Sequence, residues 1–184
     1  MRSVGTGGYS ADEPAPSYQQ GVSGTSNFDA VEYLTPVDDE TIVPGLVEPT
    51  EWSFNPNPPV TSGVVFGARA TPDVSTDADP ETGYLVYTAG GLGEAGGTSF
   101  VAPQLNGSAA VIDSYLGHRV GFWNPVIYGG AAYGGGLFTQ LNTAGTSNDN
   151  LYYTGNPGEL YNAGDGLGLP NLARIAQLFS VPFV

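Results

Sequence analysis

The chain has 184 residues, 40% of them apolar and 11% aromatic, which suits one packed domain and excludes disorder on composition. Its formal net charge of −14 sets 18 acidic residues against four arginines (Arg2, Arg69, Arg119, Arg174) with no lysine, so no basic patch can be assembled and nucleic-acid binding is excluded. Cysteine is absent, which excludes disulfides and thiolate chemistry, and no run approaches the roughly 18 apolar residues of a membrane span.

The charge comes from missing bases rather than surplus acids, and charged residues make up only 12% of the chain. Such a composition fits an acidic medium, where carboxylates near a pKa of about 4 lose charge while lysines would stay charged and repel one another. Residues 1–20 are polar and hold no apolar h-region, so they do not read as a signal peptide. An export signal would lie outside the chain.

In chain order, residues 1–62 read as loop-rich, punctuated by Gly5-Thr6-Gly7-Gly8, Pro14-Ala15-Pro16 and Asn55-Pro56-Asn57-Pro58-Pro59. Val31–Leu34 is a short candidate strand among them. Residues 63–128 read as a strand, turn and helix core. Gly63-Val64-Val65-Phe66-Gly67 is apolar and glycine-bounded, as a buried strand would be. Asp73, Asp77 and Asp79 read as turn and capping residues before the β-rich run Tyr84-Leu85-Val86-Tyr87. Glu94 falls in a glycine-rich turn.

The clearest helix starts near Ser99. Val101, Leu105, Ala109, Ile112 and Leu116 form one apolar stripe, Pro103 sits in the first turn, and Gly117 is the expected stop. Gly107, mid-helix, predicts close packing against another element. Residues 129–184 return to glycine-rich loop and end in a helix over Asn171–Ser180, behind Pro170. Trp52 and Trp123 read as packing residues. Strand, glycine turn and long helix make an α/β pattern.

Gly96-Gly97-Thr98-Ser99 opens the main helix. The glycines permit a tight turn, and the serine stands where unpaired N–H groups favour developing negative charge. Thr98 or Ser99 acting only as an N-cap is the plainer alternative.

Gly97-Thr98-Ser99-Phe100-Val101-Ala102-Pro103 resembles the signature shared by subtilisin-like and sedolisin-like serine peptidases. Arg69–Tyr87, Leu116–Tyr128, Gly7-Gly8-Tyr9-Ser10 with Pro16–Gln19, and Gly166-Leu167-Gly168-Leu169-Pro170-Asn171 look specifically like sedolisins, in family order. The resemblance is weakest over residues 24–62. A subtilisin-type triad needs a histidine and an aspartate upstream of the serine. The sole histidine, His118, lies 19 residues downstream, about 28 Å along a helix.

The resemblance implies a subtilisin-like parallel sheet with flanking helices, incomplete in this chain and completed by an N-terminal chain or segment of the same precursor. It implies secretion, a peptide or protein substrate, and Ser99 as nucleophile with Gly97 and Thr98 supporting the oxyanion turn. In the family a glutamate base, its supporting aspartate and a protonated oxyanion aspartate lie N-terminal to the matched segments, so no carboxylate here inherits those roles. The resemblance implies a calcium site at Gln140 and Leu141, at Gly158 within Gly155-Asn156-Pro157-Gly158, and at Asn162 or Asp165, with glutamine where an aspartate would be expected and an altered spacing. The alternative is a calcium-free loop held by hydrogen bonds, with Asn148, Asp149 and Asn150 as exposed turn residues. A different class, a secreted binding or assembly protein that keeps the fold without catalysis, is compatible with the 11 tyrosines and many glycines.

Overall fold

The computed structural model describes residues 7–30, 33–43, 46–55, 62–78, 82–141, 153–154, 156 and 158–181, with backbone alone over 29–55 and at 62 and 153–154. The described part is a mixed α/β structure of small antiparallel sheets and three helices. The strands are β1 (Gly8–Pro14), β2 (Asn27–Ala30), β3 (Tyr33–Val43), β4 (Leu46–Asn55), β5 (Ser62–Val64), β6 (Ala68–Thr71), β7 (Tyr84–Thr88), β8 (Gly91–Ala95), β9 (Phe138–Thr139), β10 (Tyr153–Thr154) and β11 (Leu169–Pro170). The helices are α1 (Thr98–Leu116), α2 (Asn124–Ala132) and α3 (Leu172–Ser180).

Every described strand pairing is antiparallel: β1 with β6, β3 with β4, β7 with β8, β9 with β11, and β2 between β5 and β10. A parallel sheet is therefore absent among the described residues. Parallel neighbours need long crossovers, whereas β3–β4 and β7–β8 are hairpins closed by short connections. Residues 33–55, read from sequence as loop-rich, hold the longest hairpin. Its prolines, Pro36 and Pro49, each fall at or beside a register shift, where a missing N–H costs little.

Tyr84–Tyr87 does form a strand, but the glycine turn after it starts a second strand instead of leading straight to the helix. Thr88 pairs with Gly91 across a two-residue turn whose residues, Ala89 (φ 50°) and Gly90 (φ 84°), both have positive φ. That geometry matches the twist of a hairpin. Glu94 consequently lies on β8 opposite Leu85, not in a turn.

Helix α1 runs as its periodicity predicts. Ile112 is buried, Val101, Leu105, Ala109 and Leu116 are half-buried, and Gly117 caps the end. The packing expected at Gly107 does not occur: a Cβ there would meet nothing within 4 Å. Gly107 instead borders a groove of ≈ 730 Å³ between α1 and α3, lined also by Val111, Ile112, Tyr115, Leu172 and Ala176. Helix α2 was not foreseen. Pro125 sits at its start, where its fixed φ is compatible with a first turn, and Ile127, Tyr128 and Ala131 face inward. Helix α3 starts at Asn171, whose side chain accepts the amide of Arg174 at 3.2 Å.

The core gathers Ala70, Ile112, Ile127, Tyr128, Leu167 and Ile175 with neighbouring buried residues. Full burial of Ile175 or Ile127 contributes about 1.5–3 kcal/mol each. Trp123 packs on Phe179, ring centroids 5.4 Å apart, as a packing residue should. The side chain of Trp52 lies outside the described residues.

The 63–67 run is not a buried strand. Among the described residues β5 pairs with β2 alone, leaving Val64 60% exposed, and Phe66, beyond the strand end, is 84% exposed. An apolar run can be told to be a strand from sequence, but its place at a sheet edge depends on the partners the fold provides. No helix among the described residues is long and apolar enough to cross a membrane.

Candidate active site

Ser99 is the second residue of α1, and its side chain is exposed. The N-cap is Gly97, with no side-chain capping bond, so neither Thr98 nor Ser99 is spent as a cap. The Ser99 hydroxyl has no hydrogen-bond partner among the described residues. Thr98 and Ser99 carry amides that have no intrahelical acceptor, and the helix end is partially positive. The Gly97 amide donates to the Ala78 carbonyl, and Phe100 N–H donates to Gly97 O at 2.9 Å. Beside this end, Tyr84 stacks on Phe100 with centroids 5.4 Å apart and planes 8° apart. The result is an exposed hydroxyl, unengaged among the described residues, on a braced helix terminus.

No acid or histidine among the described residues hydrogen-bonds to that hydroxyl. His118 is exposed beyond the far end of α1, with Nδ1 3.2 Å from the Arg119 carbonyl. Asp113 also serves the far end, where Oδ1 accepts the Val120 amide at 2.9 Å. Glu94 is exposed on β8.

Asp73, expected as a turn residue, is instead the hub of a polar network. Its Oδ2 accepts from Arg69 Nη2 at 2.6 Å and from Asn124 Nδ2 at 2.9 Å, and its Oδ1 accepts from the Tyr128 hydroxyl at 2.9 Å. Gln19, 1% exposed, completes it: Nε2 donates to Tyr128 (2.9 Å) and to Ala70 O (2.8 Å), while Oε1 accepts Ala70 N–H at 3.0 Å. Burial first, and then the charge of Asp73, push the Tyr128 phenol well above its ordinary pKa, so it stays a donor. The network ties β6 to α2. Asp77 Oδ1 accepts the Thr82 hydroxyl at 3.4 Å. Asp79 lies outside the described residues.

The four residues matched to a calcium site have the following surroundings. Gln140 donates its amide to the Glu159 carbonyl, so a nitrogen rather than an oxygen faces that carbonyl. The Glu159 carboxylate is held by Asn27 (2.7 Å) and Asn156 (3.1 Å). Leu141 is half-buried and Gly158 sits in an exposed turn. Asp165 belongs to a separate turn, in which Asn162 Oδ1 accepts the amides of Gly164 (2.9 Å) and Asp165 (2.8 Å). Among the described residues no group of three His, Asp or Glu side chains is placed to hold a metal. Most of the stretch between Gln140 and Gly158 lies outside the described residues, and no step below runs through a metal. Residues 148–150 lie outside the described residues.

Gln19, Asn124 and Tyr128 carry this network with Asp73, and sequence reasoning gave none of them this role. A glutamine in a turn or a polar residue in a short helix gives no local sign of a distant carboxylate partner.

No family model matches the chain. A stretch of 78 residues, 42% of the chain, is 41% identical to kumamolisin of Bacillus sp. (strain MN-32), a sedolisin, and the match spans 14% of that protein's length. The chain is thus similar, over part of its length, to a serine-carboxyl peptidase.

Proposed function

We propose that the chain is the nucleophile-bearing C-terminal part of a sedolisin-like peptidase that hydrolyses peptide bonds at acidic pH outside the cell. The observation that carries this is the exposed Ser99 hydroxyl, without a hydrogen-bond partner among the described residues, at the amino end of α1 within Gly-Thr-Ser. The partial similarity to kumamolisin supports it.

In this reading Ser99 attacks the scissile carbonyl, the peptide C–N bond breaks as the amine leaves with the proton taken from the serine, and water hydrolyses the resulting acyl-enzyme. Gly97 and Thr98 shape the turn, and the free amides of the first helical turn favour the developing oxyanion. The base that takes the serine proton is a glutamate supported by an aspartate, and a protonated aspartate donates to the oxyanion. All three come from polypeptide outside these 184 residues, as an N-terminal chain or segment of the same precursor. That polypeptide also supplies the parallel sheet of a subtilisin-like fold. A donor carboxylic acid beside an acceptor carboxylate requires acidic pH, which agrees with the lysine-free composition.

The test uses the complete polypeptide, assayed on a peptide substrate at about pH 4. Ser99→Ala lowers kcat by ~10⁴-fold or more, and a peptide aldehyde forms its adduct on Ser99. Full activity in Ser99→Ala, or an adduct on another side chain, refutes the nucleophile. Intact-mass analysis of the purified material shows a second, non-covalently held polypeptide; a single folded 19.0 kDa monomer refutes the two-chain form.

A non-catalytic binding role has one observation in its favour, the exposed aromatics Phe66 (84%), Tyr115 (73%) and Tyr133 (94%). The aldehyde separates the two readings, because a binding protein forms no adduct.

A further inference from the structure

The segment Asp73–Ala78 has no helix or strand, yet both its ends are fastened. At its start, the Asp73 carbonyl accepts the Leu167 amide at 2.9 Å and the Ser75 amide donates to Gly168 O at 3.1 Å. The Ser75 hydroxyl donates to the Asp165 carbonyl at 3.0 Å. At its end, Ala78 O accepts the amide of Gly97, the N-cap of α1. The Asp77 carbonyl accepts the Tyr84 hydroxyl at 3.2 Å, and Tyr84 stacks on Phe100 in the first turn of α1. The segment is therefore a strap between the turn at 162–168 and the amino end of the helix that carries Ser99.

We propose that Ser75 is a positioning residue for Ser99, which rests on the reading of Ser99 as a peptidase nucleophile. Its hydroxyl locks the strap onto the Asp165 carbonyl. Three residues on, Ala78 holds the Gly97 amide, and two residues beyond Gly97 stands Ser99. With the hydroxyl removed, the Ser75 backbone amide and the Asp73 carbonyl still hydrogen-bond the start of the strap to the turn, and the N-cap follows any shift of Ala78. Attack on a carbonyl is sensitive to such shifts: a displacement of about 1 Å can lower turnover ~100-fold. The turn at 162–168 thereby acts on the reaction without touching substrate.

The experiment compares Ser75→Ala, Ser75→Thr and Tyr84→Phe in the complete polypeptide, with turnover expressed per site counted by active-site titration. Misfolding lowers the number of titrated sites, whereas misplacement lowers turnover at each one. The expected result for Ser75→Ala is kcat per site down about 10-fold or more with KM changed less than about 2-fold, and the same loss in the rate of aldehyde addition. Ser75→Thr, which keeps the hydroxyl, recovers most of the loss. Tyr84→Phe keeps the ring stack but removes the hydrogen bond to the Asp77 carbonyl, leaving Ala78 on the Gly97 amide to fasten that end alone, and it reproduces part of the kcat loss even if Ser75→Ala does not fold. Unchanged turnover per site in both Ser75→Ala and Tyr84→Phe, with Ser99→Ala inactive, overturns the positioning role and leaves the peptidase reading intact. Activity retained in Ser99→Ala overturns both.

Discussion

Two neighbouring tyrosines, their ring centroids 6.5 Å apart, should respond with opposite sign to the same substitution. Tyr128 is fully buried, accepts from Gln19 and donates to the Asp73 carboxylate. Tyr161 is 1% exposed, and its hydroxyl has no partner among the described residues. Replacing either by phenylalanine keeps the ring and removes one oxygen. In Tyr128→Phe the carboxylate loses a donor, and a hydrogen bond to a charged group contributes about 1.5–3 kcal/mol. Gln19 keeps its bond to Ala70, so the loss should stay near 2 kcal/mol, or about 4–8 °C in Tm for a chain of this length. In Tyr161→Phe a desolvated, unpaired hydroxyl disappears, and stability should hold or rise by up to ~1 kcal/mol.

Urea unfolding at pH 7, with the slope m held constant between variants, measures both. The phenols also report in alkali. Burial first raises the Tyr161 pKa, followed by neighbouring Tyr128, and burial with the Asp73 charge raises that of Tyr128. The folded state therefore holds these protons after the unfolded chain has released them. Their contribution is fully present below about pH 10 and is lost as pH rises beyond it, at about 1.4 kcal/mol per pH unit for each phenol. Tyr161→Phe should make that decline shallower by one phenol's share. Equal destabilisation by the two substitutions at pH 7 would refute the assignment of the hydrogen bonds.

Two further perturbations test the supports of the site. Asn171→Ala removes the cap of α3 and should cost about 1 kcal/mol, whereas Asn171→Gly should cost only a few tenths, both read by urea unfolding. Gly166→Ala forces a side chain into φ +67° with its Cβ 2.5 Å from the Pro72 and Asp73 carbonyl oxygens. It should destabilise by at least ~2 kcal/mol, and a loss under 0.5 kcal/mol by the same assay would show that the strap and the turn are not in contact.

The amino-acid sequence alone determined the features that arise within one turn or one short run. The α1 stripe, its end at Gly117, the β7 strand and α3 behind Pro170 all follow from spacing, glycine placement and capping chemistry over a few residues. Ser99 at the helix entrance was legible in the same way, from Gly96-Gly97-Thr98-Ser99. What the tertiary structure decided is how distant segments meet. Asp73 binds Asn124 and Tyr128, 51 and 55 residues away, and Ser75 binds Asp165, 90 residues away. A carboxylate or hydroxyl in an irregular segment has the same local pattern whether it caps a turn or anchors a network. The open side of Gly107 and the exposed edge at Val64 likewise depend on which neighbours the chain brings near. Hydrogen bonding and packing act over a few ångströms in space, and only the folded path of the backbone converts separation in sequence into that distance.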